Sequence, residues 1–191
     1  MTAISQQIRN GVDSAQMYGT LDAIKADPSL GRFQFRVANE WQGGAHNRST
    51  IQRFYGAGQE DTSRQEPFTL DAGEPAVLLG HDEGANPAEA LLHALAGCLT
   101  TSLVYVAAAR KVPLTRVESR LEGDMDVRGC LGVSDEVRNG FTNIRVRFRV
   151  SGDAPEAKLR EVVERAQARS AVFDMVSNGV PVQVEASCQP S

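Results

Sequence analysis

Residues 86–99 read Asn86-Pro87-Ala88-Glu89-Ala90-Leu91-Leu92-His93-Ala94-Leu95-Ala96-Gly97-Cys98-Leu99. Asn86 is a favourable N-cap, and proline is well suited to the first position of a helix. Glu89 stands where a capping box places its acidic residue. We therefore predict a helix that opens at Asn86 and runs to about Lys111, just before Val112-Pro113.

The predicted helix carries a wide apolar stripe at helical spacing. Its members are Leu91, Leu92, Leu95, Leu99, Ser102, Leu103 and Val106. Cys98 follows Leu91 by seven residues and Leu95 by three, so we expect its thiol on the buried side. Ala94, Ala96 and Gly97 are small and would allow a second helix to approach closely.

Before this helix, the pattern predicts a helical segment and a group of strands. The helical segment extends from about Ser5 to Ala26, although Gly11 and Gly19 interrupt its periodicity. Alternating residues predict a strand at 33–37, and Gln42-Gly43-Gly44 predicts a turn into a returning strand at about 47–55. Short strands are expected at 67–70 and 76–79.

After this helix, strands and helices follow in turn. Strands are predicted at about 117–127 and 144–150, and the second of these alternates apolar residues with Arg145, Arg147 and Arg149. A helix opens near Pro155, a helical turn covers about 171–176, and a last strand spans 181–186. This order predicts an α+β fold. We place an N-terminal helical extension at 1–30 and the main domain at 31–191.

The composition indicates a globular protein and argues against nucleic-acid and membrane partners. The chain has 191 residues, 41% hydrophobic and 23% charged, with a net charge of -4. These values are typical of a globular protein and offer no basic stripe for nucleic acid. No run of 18 apolar residues and no secretory leader is recognised, so we expect no membrane partner and a cytoplasmic location.

Cys98 is the first candidate for chemistry, against the alternative that it is a small buried hydrophobe. It lies about three turns from the start of its own helix, so that helix end should not activate it. A thiolate there would need a neighbouring cation, such as an arginine. The three cysteines and the histidines His46, His81 and His93 show no metal-type spacing. We therefore expect no metal and no cofactor.

Residues 84–99 resemble the central helix of the OsmC/Ohr family, named after osmotically inducible protein C and organic hydroperoxide resistance proteins. Residues 167–174 and the later Gly179-Val180-Pro181-Val182 resemble the same family, as does the order of elements from about Phe33 to Glu185. The resemblance implies antiparallel sheets packed around a long central helix, in an intertwined homodimer.

The resemblance also implies thiol chemistry at the subunit interface. In the peroxidase members, one cysteine attacks a small apolar hydroperoxide and becomes a sulfenic acid. A second cysteine converts the sulfenic acid to a disulfide, and an external thiol reduces the disulfide. An arginine and a glutamate assist. Cys98 stands at the reactive position, and Arg48 or Arg53 could supply the assisting cation.

This chain departs from that pattern at two positions. Ser170 occupies the position of the resolving cysteine, and serine forms no disulfide. Ala88 follows Pro87 where the assisting glutamate is expected, while Glu89 is one residue later. Cys130 and Cys188 are possible substitute resolvers, although neither lies at the family position.

Three functions remain open from the sequence. The first is a thiol-dependent peroxidase that uses Cys98 and an external reductant. The second is a non-catalytic module that binds a small molecule in a pocket lined by Leu91, Leu95 and Phe173. The third is a structural role in which Cys98 is only packed.

Overall fold

A computed structural model describes residues 8–190 of the chain. These residues form two compact units. The first takes in the described residues up to His93 together with Leu121–Arg145, and the second takes in Ala94–Arg120 and the described residues from Val146 onward. Helices and small antiparallel sheets make up both, so the α+β class is confirmed.

The first unit opens with a hairpin and a helix. Strands β1 (Ile8–Arg9) and β2 (Val12–Asp13) pair through an Asn10-Gly11 turn, where both residues have positive φ. Helix α1 (Ser14–Ala26) follows, with the Asp13 carboxylate accepting from two amides of its first turn. The predicted helix was therefore wrong over 8–13, because Asn-Gly is a strong hairpin turn. Its residues 5–7 lie outside the described residues.

A three-stranded sheet follows in the order β3 (Ala38–Gly43), β4 (His46–Ile51) and β7 (Phe68–Ala72). A short hairpin of β5 (Phe54–Gly56) and β6 (Gln59–Asp61) lies between β4 and β7 in sequence. The hairpin is confirmed, although its turn lies at Gly44-Ala45 and not at 42–44. The strand predicted at 67–70 is confirmed as β7. Residues 33–37 are not a strand, since only Gln34 forms an isolated bridge, to Tyr55. Residues 76–78 form a 3-10 turn where a strand was predicted.

Helix α2 (Pro87–Ala109) is the predicted long helix, and its capping box is confirmed. The Asn86 side chain accepts from the Glu89 amide at 2.8 Å, and the Glu89 carboxylate accepts from the Asn86 amide at 3.0 Å. The helix stops two residues before Lys111, which adopts a positive φ. By length and composition α2 could cross a membrane, but the core helix of a soluble protein passes the same test.

Strands β8 (Leu114–Asp124) and β9 (Asn143–Gly152) pair with each other. The Thr142 amide bonds to the Asp124 carbonyl, and the Asp153 amide bonds to the Pro113 carbonyl, so the pair is antiparallel. The strand predicted to continue to Val127 ends at Asp124. A one-turn helix, α3 (Val127–Cys130), follows because the Asp126 carboxylate caps it.

The core of the second unit lies between α2 and α4 (Glu156–Gln167). Its buried members are Leu103, Ala107, Val112, Val162 and Ala166. The apolar face predicted for α4 is confirmed, with Leu159 and Val163 partly buried beside it. Helix α5 (Ala171–Asn178) ends the regular structure.

Residues 181–186 form no strand in the described chain. Val180, Val182 and Val184 are 58%, 79% and 87% exposed. The sequence pattern is that of a strand, but a strand requires a hydrogen-bonded neighbour, which this segment lacks within residues 8–190.

Candidate thiol site

The site is centred on the Cys98 sulfur, in the second unit. Cys98 lies on α2 between the buried Leu95 and Leu99, which are 2% and 3% exposed. Its own thiol is half-buried. Leu91, which we expected on the same buried side, is instead 40% exposed. Cys98 therefore lies at the margin of the buried stripe.

The packing of α4 on α2 determines what lies opposite this sulfur. Val162 and Ala166 of α4 share a core cluster with Leu103 and Ala107 of α2. Three residues, 168–170, then join α4 to α5, so the chain returns toward α2 at Ser170. The Ser170 hydroxyl lies 3.2 Å from the Cys98 sulfur. The structure thus brings together the two residues that the resemblance singled out.

The first turn of α5 provides amides as well. The Val172 amide donates to the Cys98 sulfur across 3.5 Å. A helix begins with unpaired N–H groups and a partial positive charge, which favour an anion nearby. We expected that the start of α2 would not activate Cys98, and the sulfur has no contact with that helix end among the hydrogen bonds of the described residues. The helix start that contacts the sulfur belongs instead to α5, whose N-cap Ser170 lies 72 residues later in the chain.

These contacts change the acidity of the thiol. Burial acts to raise the pKa of Cys98, but hydrogen bonds from the Ser170 hydroxyl, from the Val172 and Ala171 amides and from the Ser102 hydroxyl outweigh it, and the pKa is lowered. Ser102 lies one helical turn after Cys98 on α2. A lowered pKa increases the thiolate fraction at neutral pH, and the thiolate is the nucleophilic form.

The other predicted site residues have separate partners. Arg48 on β4 donates through Nε to the Asp71 carboxylate at 2.9 Å, and His46 lies 2.7 Å from the same carboxylate. Arg53 is exposed. Glu89 is exposed and bonded to Asn86 as the helix cap. Sequence reasoning favoured the cap for Glu89, and the structure agrees.

The remaining cysteines are both exposed. Cys130, at the end of α3, donates weakly to the Val127 carbonyl, and Cys188 lies in the C-terminal segment without regular secondary structure. Among the described residues, no group of three or more histidine, cysteine or acidic side chains is arranged to hold a metal ion. Sequence reasoning missed the donors Ser102 and Val172. Ser102 could have been predicted as a donor, because residues four apart on a helix lie next to each other.

Comparison with known proteins bears on this site and its fold. A family model described as OsmC-like protein matches residues 80–185, which include both Cys98 and Ser170. No curated protein sequence gives a significant match.

Solved structures of similar fold include an OsmC-like protein from Mycoplasma pneumoniae, at 14% identity and a TM-score of 0.58, covering 75% of this chain and 87% of that one. An OsmC-like protein of unknown function from Vibrio cholerae has 12% identity and a TM-score of 0.51, covering 74% and 92%. An organic hydroperoxide resistance protein OsmC from Legionella pneumophila has 16% identity and a TM-score of 0.50, covering 76% and 91%. At such low identities, the structural similarity shows a shared fold alone. Because the family model matches more than half of this chain, the chain belongs to the OsmC-like family.

Proposed function

We propose that this protein is a thiol-dependent redox protein in which Cys98 reduces organic hydroperoxides. The observation that carries the proposal is the position of the Cys98 sulfur at the first turn of α5, where it accepts hydrogen bonds from Ser170 and Val172. Donors aimed at a sulfur stabilise its anion. A packed, inert cysteine would be expected in apolar surroundings, where its pKa is raised.

The chemistry requires one thiolate and a weak O–O bond. The Cys98 thiolate attacks one peroxide oxygen, so that an S–O bond forms as the O–O bond breaks. The electron pair of the broken bond passes to the departing alkoxide, which takes up a proton and leaves as an alcohol. Sulfur is oxidised to a sulfenic acid, the first step of cysteine oxidation.

Regeneration of the Cys98 thiol requires a sulfur from elsewhere, because the residue beside Cys98 is Ser170, which cannot form a disulfide. A first external thiol would attack the sulfenic acid, forming a mixed disulfide and releasing water. A second thiol, or the other half of a dithiol, would then attack the external sulfur and release the Cys98 thiolate. The half-buried state of Cys98 supports such access. Cys130 and Cys188, both exposed, are alternative resolvers.

We propose a homodimer as the functional form. Support comes from the outward face of α2, where Ala94, Gly97 and Thr101 are exposed and a Cβ on Gly97 would meet nothing within 4 Å. Small residues at such spacing allow close helix approach. Exposed apolar surface of the kind seen at Val182 and Val184 is typical of an interface, and a partner chain would offer that segment a strand to pair with.

The roles of Arg48 and Arg53 stay predictions. Either guanidinium would assist Cys98 by favouring the thiolate and the developing alkoxide. Arg48 is bonded to Asp71, so this role would compete with its present ion pair. We also propose a soluble, cytoplasmic protein, since a reducing compartment would keep the three cysteines free.

The test begins with reduced protein and a slight excess of cumene hydroperoxide, followed by free-thiol counts and intact mass. We expect rapid loss of one thiol and the addition of one oxygen at Cys98, reversed by an added thiol. Cys98→Ser should abolish hydroperoxide consumption, whereas a Cys130→Ser, Cys188→Ser double variant should retain it. Consumption that survives Cys98→Ser would refute the proposal.

One observation favours a second candidate, a binding module without turnover. Serine at position 170 removes the internal route by which the peroxidase members of the family complete their cycle. In that case the Cys98 thiol would survive hydroperoxide, and an apolar compound would raise the melting temperature of the protein. A thiol that also resisted alkylation in the folded state would point to the purely structural role.

A further inference from the structure

Ser170 is one of the two buried polar residues among residues 8–190, with 2% of its surface exposed. Its hydroxyl touches two partners. The Phe173 amide donates to the Ser170 oxygen across 3.3 Å, which makes Ser170 the N-cap of α5. The same oxygen lies 3.2 Å from the Cys98 sulfur.

These two contacts determine the direction of the hydroxyl hydrogen. A serine hydroxyl has one hydrogen to donate and two lone pairs that accept. The Phe173 amide uses an accepting site of the oxygen, so the hydrogen is available to the sulfur. Because Ser170 is buried, water does not compete for that hydrogen as it does on the surface.

We infer that Ser170 is a positioning residue for Cys98, and that its buried hydroxyl, held by the Phe173 amide, donates to the sulfur and holds the thiolate at the start of α5. This inference rests on the proposed thiol function. It gives position 170 a role of its own: the serine that cannot form a disulfide instead stabilises the reactive form of its neighbour.

The inference distinguishes Ser170 from the other donors. The Val172 amide belongs to the backbone and would act with any residue at position 170 that preserves α5. The Ser102 hydroxyl comes from α2 itself and does not depend on α5. Only the Ser170 hydroxyl both caps α5 and bonds to the sulfur, so its removal should affect helix stability and thiol reactivity together.

The test uses protein with Cys130→Ser and Cys188→Ser, in which Cys98 is the remaining thiol, and follows iodoacetamide alkylation as a function of pH. Ser170→Ala and Ser170→Gly both remove the hydroxyl, and glycine is nearly as good an N-cap as serine. Ser170→Thr keeps both the hydroxyl and the cap. Asn86→Ala is the matched control, since it removes the N-cap of α2 without removing a donor to the sulfur.

In both variants without the hydroxyl, we expect the alkylation profile to move to higher pH and the rate at pH 7 to fall about threefold to tenfold. Loss of a hydrogen bond to a charged group lowers the thiolate fraction by more than that, but a thiolate of higher pKa is more nucleophilic and offsets part of the loss. Ser170→Thr should restore the rate, and Asn86→Ala should leave the profile in place. If Ser170→Ala and Ser170→Gly change the melting temperature but not the profile, Ser170 is only a helix cap and the inference is overturned. If Ser170→Thr fails to fold because of its extra methyl group, Ser170→Gly still decides the question, since glycine adds no atoms to the site.

Alkylation does not require peroxidase activity, so the two proposals can fail separately. A profile that shifts as expected in protein that ignores hydroperoxide would refute the proposed function and support the inference. If hydroperoxide consumption depends on Cys98 but the alkylation profile is unchanged by the Ser170 substitutions, the proposed function is supported and the inference is refuted.

Discussion

Leu103→Ala tests whether the packing of α2 on α4 is the main source of stability of the second unit. Leu103 is 0% exposed and shares its cluster with Ala107, Val112, Val162 and Ala166. Removing three buried carbons costs about 2.4 kcal/mol in transfer free energy, at about 0.8 kcal/mol for each. The two neighbouring alanines have no side chain long enough to fill the space, so a cavity should remain.

With that cavity, we expect the free energy of unfolding to fall by about 3–4 kcal/mol, within the range of about 2–5 kcal/mol for buried Leu→Ala changes. Leu91→Ala is the matched control, because it makes the same change on the same helix at a side chain that is 40% exposed. Its expected cost is about 1–1.5 kcal/mol, since only part of the transfer term is lost and no closed cavity forms.

The assay is equilibrium urea unfolding at one protein concentration, because a dimer would make apparent stability depend on concentration. The slope of free energy against urea should stay unchanged, so that the midpoint reports stability alone. Equal losses in the two variants, or a loss below about 1 kcal/mol for Leu103→Ala, would refute the packing argument.

Two further predictions concern local electrostatics and capping. Glu89→Ala should lower the free energy of unfolding by about 0.5–2 kcal/mol through loss of the capping box, and Glu89→Gln should lower it less. Neither variant should alter the alkylation rate of Cys98. A large change in that rate would instead place Glu89 in the thiol site. The Arg128 guanidinium and amide lower the pKa of Asp126 from 3.8 to about 2. A depressed carboxyl pKa stabilises the fold above pH 3.8, and that contribution is lost as pH falls through about 2. Arg128→Leu should therefore raise the pKa of the Asp126 carboxyl in a carbon-detected NMR titration, and an unchanged titration would exclude the ion pair in solution.

Local signals were sufficient for the helices that carry the site. Asn86, Pro87 and Glu89 specify the start of α2 through contacts within one turn, and the structure contains both hydrogen bonds of that capping box. The apolar spacing of α4 likewise predicted which side chains are buried, because a helix of period 3.6 has only one face to pack.

Predictions failed where a segment could satisfy more than one local rule. At Asn10-Gly11 the apolar periodicity of a helix competed with a hairpin turn, and the turn prevailed. At 33–37 and 181–186, alternation predicted strands, but alternation describes the faces of a strand and supplies no partner for it. The described chain pairs only Gln34 in the first of these segments.

From the sequence alone, local spacing and residue type predicted the long helix and Cys98 as the candidate thiol. The order of elements predicted the α+β class, and the resemblance of residues 84–99 and 167–174 indicated the family. The resemblance placed Ser170 at the position of the resolving cysteine, but the hydrogen bonds around the thiol could not be inferred, because Cys98 and Ser170 are 72 positions apart in sequence. Their contact follows from α4 packing on α2 and from the short link into α5. That packing, which no local pattern encodes, places amides and a buried hydroxyl against the sulfur and lowers its pKa.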